Sequence, residues 1–221
     1  WVSELARILL LSNGHGEDLS GALIAKELKQ FNHLVDALPL VGLGQPYLEC
    51  NIKICGKVKQ FSTGGIGYTS LVGRFTELWQ GQIFYLFRRL IVLLKISRNY
   101  DLLVVVGDVV PVLCAWISRS PSVAYLVAYS SHYEGKIKLP WPCGKCISTK
   151  NFLAIYARDQ LTADDLTIQI GRKVEFLGNP FMDSLLKKYP PLTNAKSRLG
   201  LLPGSRRPEL DSNISLILKL I

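Results

Sequence analysis

A turn near residue 204 combines small residues with two arginines. Gly204 and Ser205 precede Arg206 and Arg207, and Pro208 follows at a position suited to the first turn of a helix. Small residues let several backbone N–H groups converge, and a helix N-terminus flanked by guanidinium groups attracts anions. This turn therefore predicts a phosphate-binding loop between a strand and a helix.

A second polar loop follows an apolar run at residues 8–11. Its members are small or carry amide, imidazole or carboxyl groups: Asn13, Gly14, His15, Gly16, Glu17 and Asp18. The glycine spacing is not that of a dinucleotide-binding loop, and two carboxylates at the start of a helix would repel a pyrophosphate. The loop is better suited to hydrogen bonds with sugar hydroxyls or to acid–base chemistry. The structural alternative is that Glu17 or Asp18 complements the helix dipole while His15 packs in the turn.

A third candidate, Asp108, comes just after the strongest apolar run, at residues 103–106. Ligand sites in open α/β sheets form at the carboxyl ends of strands, and a carboxylate there can act as general base towards a sugar hydroxyl. The structural alternative is an Asp that forms a turn or caps a helix. Residues 130–133, with sequence Ser-Ser-His-Tyr, follow the next strand in the same way, and here we favour the structural role.

Short apolar segments must position these loops. The predicted buried strands cover residues 8–11, 35–41, 52–54, 102–106, 123–127, 152–157, 174–177 and 199–202. Helical patterns alternate with them, which predicts an α/β fold: a Rossmann-like parallel sheet covered by helices on both faces. Glycine and prolines after residue 177 indicate a hinge, so we place a first domain at residues 1–180 and the start of a second at 181–221.

The most hydrophobic helical pattern runs from residue 71 to residue 97. Arg88 and Arg89 interrupt it, so it is too broken to span a bilayer. Two interpretations remain: a core helix packed on the sheet, or an aromatic and basic face that lies on anionic lipid. In the second, Arg74, Trp79, Arg88 and Arg89 form the membrane surface.

Composition narrows the class of protein. The 221 residues are 48% hydrophobic and carry a net charge of +9, which is spread along the chain without a basic tail. This pattern excludes nucleic acid and favours an anionic membrane surface or a phosphorylated substrate as partner. Five cysteines and no signal-peptide pattern indicate the cytoplasm. Cys143 and Cys146 have the spacing of half a zinc site, but we favour unpaired thiols because Cys50 and Cys55 are spaced more loosely.

The order of the motifs resembles one enzyme family. The motifs that carry the resemblance are residues 12–18, Gly107-Asp108, the Gly-Asn-Pro-x-x-Asp run at 178–183, and Leu-Leu-Pro-Gly-Ser-Arg at 201–206. Together they resemble the lipid-A-disaccharide synthase family, most closely its cyanobacterial-type branch, called lipid-A-disaccharide synthase-related. The resemblance covers nearly the whole chain, which corresponds to about the first half of a family member. We therefore expect the chain to be part of a longer protein.

This resemblance implies a GT-B glycosyltransferase, in which two Rossmann-like domains face each other across a cleft. The chain would supply the acceptor-side domain and the beginning of the nucleotide-sugar domain. The intact protein would then be a hexosyltransferase that moves a sugar from a UDP-sugar to a lipid-linked or hydrophobic acceptor at the cytosolic membrane face, without metal or other cofactor.

The resemblance also implies roles for individual residues. Asp108 matches the position of an essential carboxylate in the family, the Gly14–Glu17 loop would line the cleft, and Ser205 and Arg206 would hold the diphosphate. Together with the residue chemistry above, we expect acid–base chemistry from Asp108, Glu17 and His15. The acceptor cleft would comprise Asn13, Gly14, Gly16 and Asp18, and the diphosphate site Gly204, Ser205 and Arg206. Two alternatives remain open. One is a nucleotide-sugar epimerase or hydrolase on the same scaffold, and the other is a non-catalytic module that binds the membrane peripherally.

Overall fold

The computed structural model describes residues 5–58, 75–183, 200–203 and 209–219. Within them, six parallel strands form one sheet: β1 Arg7–Ser12, β2 Leu34–Pro39, β3 Lys53–Ile54, β4 Leu102–Val106, β5 Ser122–Leu126 and β6 Phe152–Ala157. Their order across the sheet is β3-β2-β1-β4-β5-β6. Sequence order reverses between β1 and β4, so the carboxyl ends of these two strands flank the switch point of the sheet.

Helices alternate with the strands. They are α1 His15–Gln30, α2 Gln45–Glu49, α3 Phe75–Ile96, α4 Val109–Ser118, α5 Ser131–Glu134, α6 Cys143–Ile147 and α7 Gln160–Ile170, with α8 Glu209–Ile217 near the end of the chain. The chain divides into two compact units, Trp1–Ser184 and Leu185–Ile221. The sheet and α1 to α7 belong to the first unit, and α8 belongs to the second.

Two hydrophobic cores lie on opposite faces of the sheet. Successive side chains of β1 alternate between them, with Leu9 and Leu11 in one core and Ile8 and Leu10 in the other. All four are buried, as expected for a parallel strand that is covered on both faces. Each such side chain contributes roughly 1.5–3 kcal/mol through burial, so the apolar run holds β1 at the centre of the sheet.

The prediction of a Rossmann-like parallel sheet is confirmed. Six predicted strands are present with shifts of no more than two residues at their ends. The strand predicted at residues 174–177 is wrong: Glu175 forms only an isolated bridge with Tyr156, and Leu177 is exposed. Residues 200–202 do not form a strand either, and residue 199 lies outside the described part.

The hydrophobic segment before β4 forms α3, and no helix in the described ranges is long and apolar enough to cross a bilayer. Arg89 on this helix is only 2% exposed. Its guanidinium donates to the backbone carbonyls of Pro39 at 2.6 Å, Cys55 at 3.0 Å and Lys57 at 3.2 Å. The prediction that Arg89 lies on a membrane surface is therefore wrong, because its charge is directed inward and joins α3 to the end of β2 and to the segment after β3.

Candidate functional site

Polar side chains converge where β1 and β4 end, at the switch point of the sheet. Ser12 is the last residue of β1 and pairs with Val106, the last residue of β4. Asn13 and Asp108 therefore follow from neighbouring strand ends, and α1 begins two residues after Asn13. Short strand-to-helix loops thus bring the amide of one loop and the carboxylate of the other to the same edge.

Asn13 binds both candidate carboxyl groups. Its side-chain Nδ2 donates to the two oxygens of Asp108 at 3.0 and 3.2 Å, and its backbone N–H donates to Glu17 Oε2 at 2.9 Å. The Oδ1 atom of Asn13 is buried and has no hydrogen-bond donor among the described residues. This oxygen is consequently suited to accept from a carboxyl proton or a ligand hydroxyl.

Asp108 has a structural role as well as a place in the site. It caps α4, because its Oδ1 accepts a hydrogen bond from the Val110 N–H at 2.9 Å. Burial raises the pKa of Asp108, whereas the hydrogen bonds from Val110 and Asn13 oppose that rise. Both the cap and the cluster therefore hold this carboxylate in one orientation.

Glu17 has the more strongly perturbed carboxyl group. Burial, and then the negative charge of Asp108, raise its pKa to about 8, while the hydrogen bond from the Asn13 N–H lowers it and the charge of Asp18 adds to the rise. Near neutral pH Glu17 is therefore mostly protonated, and the second carboxyl group bound by Asn13, on Asp108, also has a raised pKa. Two carboxyl groups with perturbed pKa values at one edge of the sheet are an arrangement suited to proton transfer.

The other residues of the first loop divide into exposed and buried positions. Gly14 has φ 140°, a conformation that favours glycine, and is buried, whereas Gly16 is exposed. Asp18 is 1% exposed and accepts a hydrogen bond from Ser12 Oγ at 2.6 Å. The prediction that Asp18 lines a cleft is therefore wrong, because its side chain is turned into the protein.

Tyr129 belongs to the site, although no sequence motif pointed to it. It follows β5, is half-buried, and its hydroxyl lies beside the Val109 N–H at the start of α4. Burial raises its pKa, and the charges of Cys143, Asp108 and Glu17 raise it further. The only available signal was its place after the strand next to β4, which predicts a position at the same edge of the sheet.

Several predicted site residues are not described. Gly204, Ser205, Arg206 and Arg74 lie outside the described ranges, as do the side chains of His15 and Trp79. The Ser-Ser-His-Tyr segment has structural contacts: Ser130 Oγ donates to Asp159 at 3.1 Å, and Asp159 caps α7. Asp159 also lies 3.8 Å from His132, so this carboxylate organises the starts of α5 and α7.

Nothing in the described part of the chain forms a group of three or more His, Cys, Asp or Glu residues that suits a metal ion. Cys143 and Cys146 are buried on α6, and burial raises the pKa of both thiols. Cys50 packs against the core that contains Ile8, whereas Cys55 packs against the opposite core. The two cysteine pairs are therefore not halves of one tetrahedral site.

No protein-family model and no curated protein sequence matches the chain. Solved structures do match it. The crystal structure of Anabaena Alr3699/HepE in complex with UDP-glucose aligns with 79% of this chain and 44% of its own, at 19% identity and a TM-score of 0.52. The structure of UDP-GlcNAc 2-epimerase from Neisseria meningitidis bound to UDP-GlcNAc aligns with 81% of this chain and 48% of its own, at 15% identity and a TM-score of 0.50.

The chain spans less than half the length of these two structures. At such low identity the likeness establishes a common backbone arrangement and no individual residue role. The chain thus has the α/β, Rossmann-like fold that is also found in part of two proteins crystallised with UDP-sugars.

Proposed function

We propose that this chain is the acceptor-side part of a GT-B glycosyltransferase that uses a nucleotide sugar, with UDP as the carrier. One observation carries the proposal: Asn13 joins the carboxyl groups of Asp108 and Glu17 at the switch point of a Rossmann-like sheet. The order of the sequence motifs and the fold shared with proteins crystallised with UDP-sugars support it. The acceptor is hydrophobic or lipid-linked, as the lipid-A-disaccharide synthase resemblance implies.

In the proposed reaction, Asp108 takes the proton of an acceptor hydroxyl. The resulting oxygen nucleophile attacks the anomeric carbon, a new glycosidic bond forms, and the bond to the UDP phosphate breaks with its electron pair on UDP. Gly204, Ser205 and Arg206 hold the departing diphosphate, because backbone N–H groups and a guanidinium stabilise its charge. Glu17 keeps its proton and orients the acceptor as a hydrogen-bond donor, and His15 adds a second polar contact.

The test uses the longest reading frame that contains this sequence. The purified protein is supplied with UDP-glucose or UDP-N-acetylglucosamine and a bacterial lipid extract. Mass spectrometry detects a lipid that has gained one hexose unit from the first donor or one N-acetylhexosamine unit from the second. Asp108→Asn is the matched variant, since asparagine also caps helices well. Equal product from wild type and Asp108→Asn would remove Asp108 from the mechanism, and release of free sugar without a new lipid product would favour hydrolysis.

The carboxyl pair also supports a second candidate function, epimerisation of a nucleotide sugar. Inverting a ring carbon requires one group that removes a proton and another that returns one, and the carboxyl groups of Asp108 and Glu17 are candidates for the two tasks. Incubation of the protein with UDP-N-acetylglucosamine in deuterated water discriminates the two functions. An epimerase incorporates deuterium at the inverted carbon without any acceptor, whereas a transferase does not.

The exposed face of α3 supports contact with a membrane. Phe84, Phe87, Ile91 and Leu94 recur at helical spacing and are 60%, 57%, 38% and 41% exposed. Arg88 lies over the Phe84 ring at 4.8 Å, and residues 78–100 contain no Asp or Glu. An apolar stripe on the part of α3 that follows Glu77, with Arg88 and Lys95 as its charged neighbours, matches an anionic lipid surface, so we place the acceptor-side domain peripherally on the cytosolic membrane face.

Vesicle flotation tests this membrane contact. Wild-type protein is expected to bind vesicles that contain phosphatidylglycerol and to bind weakly to phosphatidylcholine alone. The double change Phe84→Ser and Phe87→Ser should abolish binding, and Ile168→Ser is the control because Ile168 is an even more exposed apolar residue, on α7. Undiminished binding by the double variant would exclude the α3 stripe. Binding without any sugar transfer would favour the non-catalytic membrane module.

A further inference from the structure

Three buried side chains behind the site form a directed chain of hydrogen bonds. Tyr47 on α2 donates from its hydroxyl to Ser12 Oγ at 2.9 Å, and Ser12 donates to Asp18 Oδ1 at 2.6 Å. All three residues are buried, with exposures of 0%, 0% and 1%. The chain therefore joins α2, the end of β1 and the first turn of α1 inside the protein.

The direction of these bonds follows from the protons that are available. Each hydroxyl can donate only one hydrogen bond, so Tyr47 donates to Ser12, and Ser12 donates to Asp18. The chain ends on the Asp18 carboxylate, which accepts. A buried charge is costly, and hydrogen bonding to that charge offsets part of the cost.

The Tyr47 hydroxyl fits against α1 because the facing residue, Gly21, has no side chain. A Cβ on Gly21 of α1 would overlap the Tyr47 hydroxyl. Tyr47 also packs in the core that contains Ile8 and Leu10, so it has little freedom to move away. Position 21 is therefore coupled to the hydroxyl that begins the chain.

We propose that Tyr47, Ser12 and Asp18 form a positioning network that holds the first turn of α1, and with it the Glu17 carboxyl, against the end of β4. The proposal rests on the proposed function, since it gives Asp18 the role of orienting Glu17 rather than binding the acceptor. Glu17 directly precedes Asp18, so a fixed Asp18 leaves Glu17 directed at Gly107 and the Asn13 N–H.

The network also fixes the charges around Glu17. Among the described residues, the charges of Asp108 after β4 and Asp18 on α1 raise the Glu17 pKa. The charge of Glu17 in turn raises the pKa values of Tyr47 on α2 and Tyr129 after β5. Burial is the main cause of the raised Glu17 pKa, and the charge of Asp18 adds a smaller rise. By fixing both residues, the network maintains the burial and the neighbouring charge that favour the protonated form of Glu17.

Carbon-13 NMR of the labelled glutamate carboxyl groups tests the network without any substrate. In the wild type the Glu17 resonance should titrate near pH 8. Gly21→Ala and Tyr47→Phe, which disturb or remove the first hydroxyl, should each lower the midpoint by about one pH unit, because a loosened first turn lets water reach Glu17. Asp18→Asn should lower it as well, by removing the charge. The assignment of the resonance comes from its loss in Glu17→Gln.

Two control variants separate positioning from general destabilisation. Gly144→Ala is a matched glycine change, since a Cβ there has open space on α6, and Leu166→Ala destabilises the opposite core. Neither should shift the Glu17 midpoint. An unchanged midpoint in folded Tyr47→Phe would overturn the network, and so would an equal shift in Leu166→Ala. Because the titration needs no turnover, a shifted midpoint alongside absent sugar transfer would uphold the network and reject the proposed function.

Discussion

The Glu17 carboxyl occupies the space that a side chain at position 107 would fill. A Cβ built on Gly107 overlaps both the carboxyl carbon and Oε2 of Glu17. Gly107 has φ 135°, a conformation that other residues adopt only with strain. Because Gly107 has no side chain, the Glu17 carboxyl on α1 can reach the edge of the sheet beside Asp108.

Gly107→Ala should therefore destabilise the protein in two ways, through backbone strain and through displacement of Glu17. We expect a loss of roughly 2–4 kcal/mol in the free energy of unfolding, measured with urea. Gly171→Ala is the control, because Gly171 also has positive φ, at 68°, but faces open space. Glu17→Ala should rescue part of the loss at Gly107 and none at Gly171. Equal losses in the two glycine variants would contradict the steric contact.

Glu17 should make stability depend on pH. Its folded-state pKa of about 8 lies above the ordinary value of 4.5, so the folded state binds more protons between these values. The contribution of protonated Glu17 to the free energy of unfolding is therefore fully present below pH 4.5 and is lost as the pH rises through 8. Glu17→Gln should leave stability similar at pH 4.5 and raise it by roughly 1–3 kcal/mol at pH 8. Parallel stability curves for variant and wild type, from urea unfolding at each pH, would show that Glu17 is not perturbed.

Changes at Asp108 should separate capping from chemistry. Asp108→Asn keeps an acceptor for the Val110 N–H, so its thermal midpoint should stay close to that of the wild type. Asp108→Ala removes the cap and should cost about 1 kcal/mol. Both should reduce sugar transfer by roughly 10²–10⁴-fold if the carboxylate is the general base. Calorimetry and the lipid assay together check this, and a loss of activity in Asp108→Ala alone would assign only the structural role.

Adjacent arginines on α3 should behave differently. Arg89→Met leaves the carbonyls of Pro39 and Cys55 without their buried donors and should cost roughly 2–5 kcal/mol in unfolding free energy. Arg88 is exposed, so Arg88→Met should change stability by less than about 0.5 kcal/mol while weakening vesicle binding. Urea unfolding and flotation measure the two effects. A stable Arg89→Met variant would mean that its carbonyl contacts are dispensable.

Much of the fold was predictable because its signals are local. A run such as residues 102–106 contains only apolar β-branched or leucine residues, which is typical of a strand covered on both faces. Local pattern failed at residues 174–177, where an apolar sequence is present but only Val174 is buried. Whether an apolar residue pairs with a neighbouring strand depends on the space at the sheet edge, which no local pattern contains.

The candidate site, too, was only partly predictable from the sequence. From the sequence alone, Asp108 and Glu17 were recognised as chemically competent, and their places after strand ends predicted the edge on which they lie. Tertiary structure decided that Asn13 joins them, that Asp18 turns inward and that Arg89 is buried. The physical reason is that hydrogen bonding and burial are properties of neighbours in space. The helical period puts Arg88 and Arg89 on different faces of α3, but only the packed sheet decides which face meets solvent.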